Sequence, residues 1–122
     1  MDRNSLPDFI TTTSNAVDGY DVVQTFGVVR GIVVRSRNVF GTIGATLQTL
    51  RGGNISIFEE LCERTRSDAY DRAREHALEL GANALIAIRY DATEIMQGVS
   101  EVLCYGTAVR IAPRLRRTVE QA

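Results

Sequence analysis

The pattern of apolar and polar positions predicts strands first in the N-terminal third of the chain. Residues 9–13 are rich in β-branched side chains, which is typical of a strand. One long strand is predicted over residues 20–36, and Gly27 and Gly31 interrupt its apolar pattern. Glycine inside a strand indicates a bulge, a bend or the close approach of another backbone, so we expect this strand to be bent.

Two segments follow helical spacing instead. A short helix is predicted over 39–50, and a long helix over 56–80 begins with Ser56 and Glu59 at the spacing of a capping box. The apolar positions of the long helix recur at steps of three and four and become rich in alanine, which favours close packing on a sheet. They are Phe58, Leu61, Cys62, Thr65, Ala69, Ala73, Ala77 and Leu80.

Two more strands are predicted in the C-terminal third, over 82–90 and 99–111, with a polar turn region over 91–98 between them. Both strands are largely apolar on both faces. Gly106 lies inside the last strand, where we expect it to permit close packing across a subunit junction.

The order of elements predicts an α+β fold, an antiparallel sheet with a short and a long helix on one face. A single domain covers 9–112, between polar tails at 1–8 and 113–122. Helices on one face leave the other face uncovered, and a chain of this length has no spare element for it. The sequence therefore predicts that further copies of the chain cover that face. The alternative is a partly exposed apolar face.

Composition excludes some classes of partner. The chain has 122 residues, 24% of them charged, and a net charge of −1, which gives no electrostatic basis for binding nucleic acid. No apolar run approaches the ~20 residues that cross a bilayer, and the first residues do not resemble a signal peptide. We therefore expect a cytoplasmic protein with no membrane partner.

Four blocks of the sequence form a recognisable set: Thr11-Thr12-Thr13, Gly27-Val28-Val29-Arg30-Gly31, Leu80-Gly81-Ala82-Asn83-Ala84 and Gly106-Thr107-Ala108-Val109. Together they resemble the YbjQ-like family, which carries the label of a heavy-metal-binding domain. The resemblance covers about 9–111, although members usually have tyrosine where this chain has Phe58. It implies a small α+β unit like the dodecin subunit, assembly into closed pentameric rings, and no settled enzymatic activity.

Three residues are candidate ligands for a soft or divalent metal ion: Cys62, Cys104 and His76. Cys62 and His76 lie 14 positions apart on one helix, ~21 Å at the helical rise, so all three do not form one site within a chain. Cys62 with Cys104, or copies of one residue around a symmetry axis, are the alternatives. Each cysteine is also typical of a small buried hydrophobic residue, and His76 of a solvated, ion-paired side chain.

The carboxylates Glu59, Glu60 and Glu63 favour the positive end of the helix dipole. In a ring they would repeat as an acidic collar for calcium or magnesium. The two-sided apolar strands predict a homo-oligomer, and the family resemblance implies a pentameric binding module with a heavy metal or small ligand at subunit junctions. A scaffold ring without metal is the first alternative. The second is an enzyme with an interfacial site that uses His76 and a carboxylate.

Overall fold

A computed structural model describes residues 9–36 and 56–115 of the chain. It contains four strands and one helix: β1 (Ile10–Thr11), β2 (Tyr20–Ser36), α1 (Ser56–Glu79), β3 (Ala84–Met96) and β4 (Val99–Pro113). The α+β class, the long bent strand and the long helix are confirmed. The predicted helix over 39–50 and the tail at 1–8 lie outside the described residues.

The strands form one sheet in the order β1-β3-β4-β2. The three long strands pair antiparallel, as predicted, whereas β1 pairs parallel with β3 and makes the sheet mixed. Backbone bonds continue this pairing beyond β1, because the amides of Ala87 and Ile88 donate to the carbonyls of Ser14 and Thr12. The bend in β2 consists of two register shifts, between Val22 and Gln24 and between Thr25 and Gly27.

The prediction of a polar turn region over 91–98 is wrong. Strand β3 continues to Met96, and only Gln97 and Gly98 separate it from β4. This arm pairs with β4, yet every residue of β3 from Arg89 onward is exposed. An arm that meets solvent on both faces has no apolar alternation, so polarity alone did not identify it as a strand.

Helix α1 packs closely on β2 because Gly31 has no side chain. A Cβ at Gly31 would lie 2.1 Å from the carbonyl oxygen of Ala69 and 2.5 Å from the amide nitrogen of Ala73. Those two alanines and Ala77 are fully buried, which confirms the predicted close approach through small residues. The same side of the helix is tied to β2 by a hydrogen bond that Arg72 donates to the carbonyl of Ile32.

The main core lies between α1 and the inner face of the sheet. It combines the alanines of α1 with the inward-pointing residues of the strands, and Phe9, Phe26, Tyr70 and Val102 pack against it from the rim. The buried members on the strands are Val29, Val33, Leu85, Ile88, Cys104 and Ala108.

The outer face of the sheet is partly covered by the chain itself. Ala84, Ile86, Val109 and Ile111 form a second buried cluster there, and the segment between β1 and β2 packs on it. The expectation that the chain has no spare element is therefore wrong for this end of the sheet. The residues that provide the cover are Ile10, Val17 and Tyr20.

A bulge in β3 changes which side chains face the helix. The register shifts between Ile86 and Arg89, and Ala87 adopts a φ of +54°. As a result Ile86 lies in the outer cluster, whereas Ile88 belongs to the main core. From Ile88 onward the side chains of β3 again alternate between the two faces of the sheet, so Tyr90 lies on the inner face.

Gly106 lies against this bulge. A Cβ there would be 2.9 Å from the carbonyl oxygen of Ile86 and 3.0 Å from Cγ2 of Ile88. The tight contact is therefore made within the chain, between β4 and β3. The expectation that Gly106 serves a subunit junction is corrected accordingly.

Candidate functional site

A polar pocket lies between α1 and β3, on the side of the helix away from β2. Its volume is about 430 Å³, and we call it the flank pocket. Four of its residues come from successive turns of α1 and the fifth from β3, directly after the bulge. They are Glu63, Arg66, Ser67, Tyr70 and Tyr90.

Tyr90 connects the pocket to the core. It pairs across the strands with Cys104, which is completely buried, and the phenol and the thiol hydrogen-bond. Burial and the neighbouring thiol raise the pKa of Tyr90 to about 12. Burial also raises the pKa of Cys104, although its hydrogen bond to Tyr90 acts in the opposite direction. Both groups are therefore protonated near neutral pH.

Contacts with fixed neighbours hold the aromatic walls of the flank pocket in place. The guanidinium of Arg66 lies over the ring of Tyr90, 5.7 Å from its centroid. The hydroxyl of Tyr70 is 2.5 Å from Oγ1 of Thr11, which anchors that ring to β1. Stacking orders both the cation and the ring, so the pocket is organised in the absence of any ligand.

A larger groove of about 880 Å³ lies where β2 begins and β4 ends. Its charged lining residues, Asp21 and Arg114, already form an ion pair at 3.0 Å. The amide of Arg114 also donates to the carbonyl of Gly19. The predicted C-terminal tail thus begins as an ordered contact with β2, and residues 116–122 lie outside the described residues.

The structure separates the three predicted metal ligands by environment. Cys104 is buried in the main core, as its apolar strand face predicts. Cys62 is exposed, so its assignment to the buried face of the helix is wrong. The helix contacts the sheet along a narrow ridge through Leu61, Thr65 and Ala69, and Cys62 lies outside that ridge.

His76 is half-buried in the last turn of α1 and lines neither pocket. Glu59, Glu60 and Glu63 are exposed on the first turns of the helix, where an acidic collar would depend on assembly. Over residues 9–36 and 56–115, no three His, Cys, Asp or Glu side chains group closely enough to hold a metal ion. A structural zinc site takes four ligands, so the donors of this part of one chain do not fit a closed soft-metal site.

The helix that the structure describes is not long and apolar enough to span a membrane.

Comparison with known proteins gives the family. The family model described as "Putative heavy-metal-binding" matches residues 9–112. The chain belongs to the YbjQ family. Similar family members are the UPF0145 protein of Solibacter usitatus, 61% identical over 88% of this chain and 96% of the relative, and a UPF0145 protein of Burkholderia thailandensis, 58% identical over 85% and 93%. These names assign no activity to either relative.

A solved structure shows the same fold. A protein of unknown function from Pediococcus pentosaceus, of the DUF74 family, has a TM-score of 0.55. The structural match covers 85% of this chain and 98% of the Pediococcus chain. The two sequences are 18% identical, so the match supports the fold alone. The α+β class of this YbjQ family member therefore agrees with a known architecture.

Sequence reasoning missed the flank pocket. A signal was present, because Glu63, Arg66, Ser67 and Tyr70 recur at steps of three and four and so share one side of the helix. No comparable spacing in the sequence indicated Tyr90, the pocket residue that lies on β3. It reaches the pocket through the bulge at Ala87, and alanine is not a residue that marks a bulge.

Proposed function

We propose that the chain is a self-assembling binding module that forms a closed ring and holds its ligand at the junctions between copies. The observation that carries the proposal is that the sheet has two different open edges on opposite sides. The number of five copies comes from the family resemblance.

The first open edge belongs to β2 over Tyr20–Ser36, which is the end strand of the sheet in the part of the chain that the structure describes. The second belongs to β3, because β1 pairs only with Ala84 and Leu85, and in the described residues no strand lies beside 90–96 on that side. An open edge presents unpaired backbone groups that another strand can satisfy. Joining two different edges is a head-to-tail contact, and a head-to-tail contact that closes produces a ring.

The outer face of the sheet supports the same assembly. On β2, Val28 is 70% and Val34 50% exposed, with Ile32 between them. Leu103 and Tyr105 lie beside them on β4, opposite Ile32 and Arg30. We call Val28, Ile32, Val34, Leu103 and Tyr105 the outer patch. Exposed Arg30 lies between Val28 and Ile32 on the same face, so the patch is apolar with one cation within it. Clustered exposed apolar side chains of this kind mark interaction sites in soluble proteins.

The ligand is less directly indicated. A heavy metal at a junction would need donors from more than one copy, and Cys62 is the exposed thiol available for that purpose. The described part of one chain contains no group of three metal donors, so a metal would be held only where copies meet. A ring that binds no metal is the alternative. The interfacial enzyme has less support, because His76 lines neither pocket.

Native mass spectrometry of untagged protein, purified without chelator, tests the assembly. We expect a five-fold mass for the wild type and a shift towards the monomer for Ile32→Asp, which places a charge in the outer patch. Leu78→Asp is the matched control, since Leu78 is 43% exposed and Ile32 39%, but Leu78 lies on the helix. A monomeric wild type would contradict the ring, as would equal dissociation of both variants.

The same spectra test the metal. Additional mass equal to a whole number of metal ions, lost in Cys62→Ser, would support a metal at the junctions. A ring without additional mass would support the alternative without metal.

A further inference from the structure

We propose that the flank pocket binds a small zwitterion that carries a carboxylate and an ammonium group, the chemistry of a free amino acid. The inference deepens the proposed function and rests on the ring for the outer wall of the site. The remaining walls belong to one chain and are the residues Glu63, Arg66, Ser67, Tyr70 and Tyr90.

The charges of the pocket are complementary to such a ligand. Glu63 and Arg66 are one helical turn apart, both exposed, and not joined by an ion pair. Within the described residues neither has another ion-pair partner. Side chains three positions apart on a helix start about 5–6 Å from each other, which suits the two neighbouring charges of an amino acid.

Arg66 lies close to the aromatic wall of the pocket. Its guanidinium carbon is 5.7 Å from the centroid of the Tyr90 ring, within the range of a cation–π contact, and no ion pair engages it among the described residues. A guanidinium in such a contact can still bind a carboxylate with two parallel hydrogen bonds. The hydroxyl of Ser67, which lines the same pocket, is an additional donor.

Other ligand classes fit these residues less well. A soft metal needs thiolate or imidazole, and the side chains that line the pocket include neither. A phosphate dianion would be repelled by Glu63. A volume of about 430 Å³ lies within the ~300–1,000 Å³ of small-molecule sites.

The location of the pocket explains how the ring would complete it. Tyr90 lies two residues after Ile88, the last residue of β3 whose amide donates a backbone hydrogen bond to the segment after β1. From Tyr90 onward that edge is open in the described residues, so β2 of a neighbouring copy would join there and cover the open side of the pocket.

The test is a titration of the full-length ring with single free amino acids, followed by protein NMR. We expect at least one amino acid to shift the signals of Arg66, Ser67 and Tyr90 in a saturable manner. Acetate and methylammonium, which each carry one half of the ligand, should bind at least ~10-fold more weakly.

Substitutions in the pocket test which residues hold the amino acid. Arg66→Gln and Glu63→Gln should each weaken its binding by at least ~10-fold. Arg64→Gln and Glu60→Gln, exposed on the same helix outside the pocket, are the matched controls.

Native mass spectra of the same samples separate the two proposals. A ring that binds no amino acid would overturn the zwitterion site and leave the assembly intact. A monomer that binds an amino acid through Arg66 and Glu63 would overturn the ring and retain the pocket. Equal losses in pocket and control variants, or tighter binding of inorganic phosphate, would also contradict the inference.

Discussion

The two faces of β2 are both apolar, yet they are completed in different ways. On the inner face Val29, Gly31 and Val33 are buried beneath α1. On the outer face Val28 and Ile32 alternate with them and remain exposed. The inner face is finished within one chain, whereas the outer face lacks a cover in the described residues.

The difference shows that hydrophobicity alone does not identify an internal contact. What distinguishes the inner face is the size of its residues. Gly31 faces Ala69 and Ala73 with no space for a single additional carbon. Such steric matching between distant segments indicates contact within the chain, whereas the large aliphatic residues of the outer patch have no partner of matched size among residues 9–36 and 56–115.

The largest expected effect is at the inner contact. Gly31→Ala would place a methyl group 2.1 Å from the backbone oxygen of Ala69, so the helix must move away from the sheet. We expect a loss of about 3 kcal/mol or more in the free energy of unfolding, measured by urea denaturation. Thr25→Ala, exposed on the same strand, is the control and should change the stability little. A stable Gly31→Ala variant would show that the inner face is not closely packed.

The two cysteines allow a second comparison, between a buried position and an exposed one. Cys104→Ser places a hydroxyl in the main core beside Tyr90, and we expect a loss of about 1–3 kcal/mol in the free energy of unfolding. Cys62→Ser should change it by less than about 0.5 kcal/mol, because Cys62 is exposed. Denaturation under reducing conditions measures both. Similar losses would mean that Cys62 is buried in the assembled protein.

Much of the fold could be predicted from periodicity. The helix over 56–80 and the strand over 20–36 are found within one residue of their predicted ends, because each has one face in a core. The part of β3 after Tyr90, predicted as a turn region, was missed because solvent surrounds it. The orientation of Cys62 was wrong because a helix that packs through alanine buries a narrower ridge than its apolar residues suggest.

The candidate site could be predicted only in part. Four of its residues share a helix side, which local spacing reveals. The fifth, Tyr90, depends on the bulge at Ala87, and the bulge depends on the carbonyls of Thr12 and Ser14, more than 70 positions away. Tertiary contacts of this kind have no local signature in the sequence.

A smaller effect on stability is expected at the bulge around Ala87. This bulge places the side chain of Ile88 on the inner face of the sheet, where regular alternation would place it on the outer face. Ala87 has a φ of +54°, a conformation that costs a residue with a Cβ about 1–2 kcal/mol. Ala87→Gly should therefore raise the free energy of unfolding by about 0.5 kcal/mol, after the greater chain entropy of glycine is subtracted. Ala92→Gly, in the regular part of β3, should lower it instead. Destabilisation of equal size in both variants would argue against the bulge.

The smallest effect concerns Tyr90, which is 39% exposed at the boundary of the inner face. Its pKa is about 12 in the folded protein, against the ordinary tyrosine value of 10.0, so folding favours the neutral phenol. The resulting stabilisation is complete below pH 10 and is lost as the pH rises towards 12. The tyrosinate absorbance of the wild type minus that of Tyr90→Phe should therefore titrate near 12. Tyr105→Phe, which removes an equally exposed phenol hydroxyl from the outer face, is the control for the loss of one ionisable hydroxyl. A difference that titrates near 10 would mean that water reaches the phenol freely, and the flank pocket would then lack the ordered wall that ligand binding requires.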